Sequence, residues 1–216
     1  MERHLIAHDL LKLSGLPVDN AMPAWLPSAF ARAPFAVVRR ADTPPGAIAV
    51  GFRGATRGER YGTLVRRDAV VAVLSPEQLR DRSVDPKRST LNAFCALRFI
   101  VEDNMLAGLA WGPTGSVGFE LATGCATATE ASDLDLLIRS PSPIERNDAR
   151  RLCEKLQGVE RSMGLRIDVQ LETPAGGVAL SEWAEGKPCV MARSASGPSM
   201  IRNPWEDRDH LTEVQR

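Results

Sequence analysis

Acidic and apolar residues alternate from Asp133 to Ile138, with Leu134, Leu136 and Ile138 interleaving Asp133, Asp135 and Leu137. That period of two predicts a strand with its aliphatics packed on one face and both carboxylates on the other. A second alternation follows at Leu165, Ile167, Val169 and Leu171, with Asp168 on the opposite face. Between them the period changes. Ala149, Leu152, Cys153 and Leu156 recur at helical spacing, Ser142-Pro143-Ile144-Glu145 has the form of a capping box with proline at the first helical position, and Gly164 is placed to stop the helix. Two strands joined by one helix therefore carry three aspartates.

Upstream, the turn Thr43-Pro44-Pro45-Gly46 leads into a strand-like Ala47 to Phe52, and Ala69 to Leu74 forms another, ended by Ser75-Pro76-Glu77. These predict a small α+β lobe over residues 1–85. The polar stretch from Ser83 to Arg88, with Pro86, reads as a linker into a catalytic domain over 86–216. That domain opens with a helix through Leu91, Phe94, Cys95 and Phe99. Its last part carries Gly176-Gly177, a helix about Leu180 to Trp183, an apolar Val190-Met191-Ala192, and a Pro204-Trp205 end placed to fold back. The fold class is α+β, without internal repeats.

Composition narrows the function without choosing it. The 216 residues are 44% hydrophobic and 25% charged, ordinary for a globular protein, and 27 basic residues balance 27 acidic ones. A chain without net charge is not a bulk polyanion binder, so no nucleic-acid partner is expected. The longest aliphatic run, about Ala69 to Leu74, is far short of the roughly 20 residues of a membrane span. The start lacks the apolar run of a signal peptide, and Cys95, Cys125, Cys153 and Cys189 show no paired spacing, so a cytoplasmic location with free thiols is expected. His4, His8 and His210 sit at the two ends, which disfavours a histidine-ligated zinc or a histidine-based triad.

The candidate chemistry rests on the carboxylates and on Gly115-Ser116. An isolated Asp-x-Asp is often a solvated strand face, but aspartate is disfavoured in strands, so three of them on two strands need a reason. Residues two apart on a strand lie roughly 6.5 Å apart, which lets Asp133 and Asp135 share or bridge hard divalent cations, Mg²⁺ or Mn²⁺, with Asp168 as a further ligand or base. Gly115-Ser116 opens a glycine-punctuated stretch running to Gly124, where backbone amides can approach a phosphate. A Walker A loop would need lysine where Phe119 stands, and a nucleophile elbow around Ser116 would need glycine where Thr114 stands. In the first lobe Arg53, Arg57, Arg60, Arg66 and Arg67 form a basic group around Tyr61. It is either a solvated face or a site for phosphate or an acidic partner, with Arg53, flanked by Gly51 and Gly54, and Arg57 as candidate substrate contacts.

Gly115-Ser116, Asp133-x-Asp135 and a later strand Asp168 resemble the nucleotidyltransferase superfamily. The fuller string Gly115-Ser116-Val117-Gly118-Phe119-Glu120-Leu121-Ala122-Thr123-Gly124, then Ser132-Asp133-Leu134-Asp135-Leu136-Leu137-Ile138-Arg139, is similar to the malonate decarboxylase holo-acyl-carrier-protein synthases, or phosphoribosyl-dephospho-CoA transferases. The likeness extends to Val50-Gly51-Phe52-Arg53-Gly54 with Arg57 and Arg60, to Ser75-Pro76-Glu77, to Ile167-Asp168-Val169-Gln170, to Glu182-Trp183 and to Gly197-Pro198. The resemblance implies a nucleotidyltransferase-like mixed sheet. It also implies transfer of phosphoribosyl-dephospho-CoA from 2′-(5-triphosphoribosyl)-3′-dephospho-CoA to a serine of the apo acyl carrier subunit of malonate decarboxylase, with release of diphosphate. Asp133, Asp135 and Asp168 would then hold the metal, and Gly115-Ser116 would cradle the departing diphosphate. Two other classes stay open: a transferase using an ordinary nucleoside triphosphate, and a non-catalytic binding module of the same fold.

Overall fold

A computed structural model describes residues 5–206 apart from 18, 20 and 57. Two sheets divide the α+β chain. The first contains β1 (Leu10–Leu13), β2 (Phe35–Val38), β3 (Ala47–Arg53), β4 (Arg60–Arg66) and β5 (Val70–Leu74), in the antiparallel order β4-β3-β2-β1-β5. Helix α1 (Leu26–Arg32) accompanies it, and a core of Leu11, Leu26, Ala36, Val50 and Phe52 fills the space, with the Phe30 and Phe52 rings edge-on at 6.2 Å.

After α2 (Pro76–Leu79) and α3 (Asn92–Glu102), the second sheet is laid down by β6 (Ala110–Pro113), β7 (Leu134–Arg139), β8 (Ile167–Thr173), β9 (Gly176–Ala179), β10 (Val190–Ser194) and β11 (Gly197–Ile201). Its order follows the chain, β11-β10-β9-β8-β7-β6. Only β7 and β8 pair in parallel, because α5 (Arg146–Met163) returns the chain between them. Helix α4 (Gly115–Thr123) joins β6 to β7, and α6 (Leu180–Ala184) follows β9. Leu134, Leu136 and Ile138 enter the large core with Ile100, Leu156, Leu171 and Leu180. Gly164 ends α5 at φ 66°, in the left-handed region expected of a helix stop. The expected return of the chain end is also present. Trp205 packs edge-on against Trp183 at 5.1 Å, and its indole N–H donates to the Ser140 carbonyl at 2.8 Å.

Two local expectations give way. Ser142 to Glu145 do not cap α5: Glu145 is the N-cap, without a side-chain capping bond. The carbonyl of Ile144 instead accepts from the Trp183 indole at 2.8 Å, so a long-range bond holds the segment out of the helix. The realised capping box lies at Ser75 and Gln78, at the start of α2. The aspartate face of β7 is not free of packing either. Leu137 on that face is only 1% exposed, and its cross-strand neighbour Gly112 lies under the backbone of Pro76 at the start of α2. Arg139 on the same face reaches Asp9 and Glu77 at 2.9 Å each.

Candidate active site

The parallel register of β7 and β8 pairs Asp135 with Asp168, Leu137 with Gln170 and Arg139 with Glu172. Because side chains alternate along a strand, these three pairs share the face that meets the first sheet. At one end they are clamped. Arg40 forms an ion pair with Glu172, His8 meets Gln170 at 2.9 Å, and Arg139 holds Asp9 and Glu77. At the other end, where the strands begin, the sheets part. A cleft of about 990 Å³ opens there, at the upper end of the size usual for ligand sites. Asp135, Asp168, Gly115 and Arg53 all line it.

Each of these residues is held by a local cause. Gly115 begins α4 with φ +59°, and a Cβ there would overlap Asp135 Oδ2, so glycine is what lets this carboxylate lie against the helix start. The N-terminus of α4 brings partial positive charge to the same spot. Its following loop is fixed by Glu120, which is 3% exposed, pairs with Arg88, and accepts the Thr127 and Ala128 amides at 2.7 and 2.8 Å. Asp168 pairs with Arg166 at 2.6 Å. Arg53 comes from the first sheet, stacks its guanidinium over the Phe119 ring of α4 at 5.6 Å, and leaves Nε and Nη1 buried without a hydrogen-bond partner. Burial and the neighbouring Arg60 pull its pKa below the ordinary guanidinium value, and Asp135 pulls it back up. Guanidinium stays charged in proteins, so Arg53 is a desolvated cation on the cleft wall with two N–H groups to offer.

The remaining sequence candidates fall elsewhere. Asp133 precedes β7 and lines a shallower hollow, which shares Glu160 and Arg166 with the cleft. Ser116 is half-buried outside the cleft lining, and its carbonyl accepts from Thr127 Oγ1 at 2.8 Å. Arg57 lies outside the described residues. Within the basic group, Arg53 and Arg60 line the cleft, whereas Arg66 pairs with Asp68 on the surface. Among the described residues, no three His, Cys, Asp or Glu side chains converge to hold a metal. Asp135 and Asp168 still suit one: Mg²⁺ takes oxygen ligands and is commonly held by one or two carboxylates plus substrate phosphates.

Sequence reasoning passed over His8, Arg39 and Gln170, which also line the cleft. His8 has φ +73°, and its Nε2 lies 3.3 Å from Arg40 Nη2 and 2.9 Å from Gln170 Nε2. Arginine can only donate, so Nε2 accepts and the ring proton sits on Nδ1. Burial, then Arg40 and Arg139, lower its pKa to about 4. In the sequence His8 is one of three histidines near the two ends, and nothing local marks it as reaching the cleft.

Comparison with known proteins adds a second line of observation. The model described as Phosphoribosyl-dephospho-CoA transferase MdcG C-terminal domain matches residues 78–204, and the corresponding N-terminal domain model matches residues 6–76. The chain belongs to the phosphoribosyl-dephospho-CoA transferase family. A Pseudomonas aeruginosa protein named phosphoribosyl-dephospho-CoA transferase is 45% identical over 201 residues, covering 92% of each chain. An Azotobacter vinelandii protein of the same name is 40% identical over 212 residues, covering 93% of this chain and 94% of its own. No solved structure matches. Both parts of the family therefore meet at the cleft, the first contributing Arg53 and the second Gly115, Asp135 and Asp168. No helix among the described residues is long and apolar enough to cross a membrane.

Proposed function

We propose that this protein transfers phosphoribosyl-dephospho-CoA from 2′-(5-triphosphoribosyl)-3′-dephospho-CoA to a serine of the apo acyl carrier subunit of malonate decarboxylase. The observation that carries this reading is the match of both family domains along one chain whose two sheets share a single phosphate-suited cleft. In the reaction the carrier serine oxygen bonds to the α-phosphorus, the bond to the bridging oxygen of the β-phosphate breaks, and diphosphate departs. The serine proton passes to a base. Such displacement requires positioning and charge neutralisation more than covalent participation by the enzyme.

The chain's own groups divide that work. Arg53 donates its two unpartnered N–H groups to phosphate oxygens of the donor, and the start of α4 at Gly115 faces the departing diphosphate. Asp168, paired with Arg166, accepts the proton of the incoming hydroxyl or ligates metal. Asp135 and Asp168 would hold Mg²⁺ or Mn²⁺, and Asp133 in the adjoining hollow is the third carboxylate of the proposal. A bound divalent ion would supply charge neutralisation at the attacked phosphate and the leaving diphosphate. The neighbouring Leu136, Leu156 and Ile167 limit water at the reacting end of the cleft.

Intact-mass analysis of purified apo carrier, incubated with the protein, Mg²⁺ and the triphosphoribosyl donor, tests the reading. The expected result is a mass gain equal to one phosphoribosyl-dephospho-CoA, with one diphosphate released per carrier. An unmodified carrier under these conditions would overturn it.

A further inference from the structure

Positive charge in the cleft is spread over several separate centres. Five arginines line it, Arg39, Arg53, Arg60, Arg166 and Arg193, against three carboxylates, Asp135, Asp168 and Glu160. Arg166 is occupied by Asp168. Arg53 sits at the reacting end, over Phe119 and within the field of Asp135.

Arg39 stands apart from that end and is placed by sequence features of the first sheet. It follows β2 directly, and its backbone N–H bonds the Ala49 carbonyl at 2.9 Å, which ties it to β3. Gly51 of β3 and Gly62 of β4 are cross-strand partners. With no side chain at either position the sheet surface is lowered into a trough. The Arg39 side chain lies in it: a Cβ on Gly51 would stand 3.2 Å from Arg39 Cδ, and one on Gly62 would overlap Arg39 Nη1. Strand interiors disfavour glycine, so two in register, filled by one guanidinium, mark a close approach. Among the described residues Arg39 makes no ion pair and no side-chain hydrogen bond; it is exposed on the cleft wall, its guanidinium lying over Gly62. Gly51 precedes Arg53 by two residues on the same strand face, roughly 6.6 Å away at the backbone. Two separate cationic centres thus lie along one wall.

We propose that Arg39, in the Gly51–Gly62 trough, forms a second phosphate site for the adenosine 5′-diphosphate of a dephospho-CoA moiety, two residues along the sheet from the cross-strand pair Arg53 and Arg60. Arg53 and the carboxylate pair take the reacting phosphates. The inference rests on the transferase reading, whose donor carries two phosphate groups separated by sugar: the triphosphate on its added ribose and the diphosphate joining adenosine to the pantetheine arm. One guanidinium can fork two oxygens of each. The trough gives the flat approach a diphosphate needs, and the diphosphate supplies the anion that Arg39 lacks.

Binding of dephospho-CoA and of inorganic tripolyphosphate, each with Mg²⁺, should be measured by calorimetry for wild type, Arg39→Gln, Gly62→Ala and Arg53→Gln, with melting temperature as a check on folding. Arg39→Gln is expected to weaken dephospho-CoA by about tenfold or more, the scale of one lost charge-assisted hydrogen bond, and to leave tripolyphosphate within about twofold. Gly62→Ala keeps every charge but displaces Arg39, and should weaken dephospho-CoA in the same direction. Arg53→Gln should mainly weaken tripolyphosphate. Unchanged dephospho-CoA affinity in a folded Arg39→Gln overturns the site, as does a loss confined to the Michaelis constant for the carrier. A wild-type protein that modifies carrier without binding dephospho-CoA overturns the site alone. Arg39-dependent binding of dephospho-CoA in a protein that leaves carrier unmodified supports the site and overturns the transferase reading.

Discussion

Replacing Arg53 with methionine should make the free protein more stable and the enzyme worse. The side chain buries Nε and Nη1 without partners, and each orphaned polar group costs about 1–3 kcal/mol. Against this stand the attraction to the Phe119 ring, about 0.5–2 kcal/mol for such a pair, and the attraction to Asp135. Methionine keeps the aliphatic stem and removes the charge, so a net gain of about 1–3 kcal/mol is expected. For a chain of this size each kcal/mol moves the melting temperature by about 2–4 °C. Donor affinity should move the other way: two charge-assisted bonds at about 1.5–3 kcal/mol each imply a loss of at least about 10²-fold. Differential scanning calorimetry with and without donor reads both effects, because the ligand-induced rise in melting temperature should shrink with the lost affinity. A variant that melts below wild type, or that binds donor as tightly, would refute the view of Arg53 as a desolvated cation awaiting a phosphate.

Asp135→Asn and Asp168→Asn keep side-chain volume but remove ligand charge, so transfer should fall at least as far as the roughly 10–100-fold lost with an outer-shell partner, and EDTA should abolish wild-type activity until Mg²⁺ is restored; full turnover in chelator would remove the metal from the proposal. Gly115→Ala should cost about 1–2 kcal/mol through its positive φ and, by displacing Asp135, lower turnover by roughly 10²-fold; normal kinetics in a folded variant would show that Asp135 does not need its present position. His8, its pKa lowered from 6.5 to about 4, is charged first in the unfolded chain, so its effect on stability is absent above pH 6.5 and grows as pH falls toward 4. Wild type should lose up to about 3 kcal/mol more than His8→Gln across that window in denaturant titrations, and equal losses would contradict the burial of a neutral imidazole.

The parts of this molecule legible in the sequence are those whose causes are local. The alternation at Leu134, Leu136 and Ile138 places β7, Gly164 stops α5, and the helix expected about Leu180 to Trp183 is α6. Where a distant group intervened, local reasoning failed. Ser142 to Glu145 spell a capping box as well as Ser75 to Gln78 do, but the Trp183 indole, 39 residues from Ile144, removes the first from its helix. Leu137 alternates with the carboxylates in sequence, and nothing near it in the chain shows that its face is covered. The same reason hid His8 and Arg39. They reach the cleft only through the pairing of β1 and β2 beside β3 and the contact of that sheet with β8.

The ion-paired seam between the two sheets also determines what the carboxylates can meet. Arg40 bonds Glu172 across 132 residues of sequence, and Arg139 bonds Asp9 across 130. Glu172 and Arg139 lie on the same strand face as Asp168 and Asp135, each four positions further along its strand. A rigid pair of strands clamped at one end fixes how far the sheets separate at the other. The separation of Arg53 and Asp135 is therefore held at one end by ion pairs that touch neither residue and at the other by α4, whose Phe119 lies under Arg53 and whose Gly115 lies against Asp135. Aspartates on β7 and β8 alone would make an acidic strand end that repels a triphosphate. Joined by the seam to a wall carrying Arg39, Arg53 and Arg60, they become one side of a cleft whose opposite wall is cationic, the balance that the proposed transfer from a triphosphate requires.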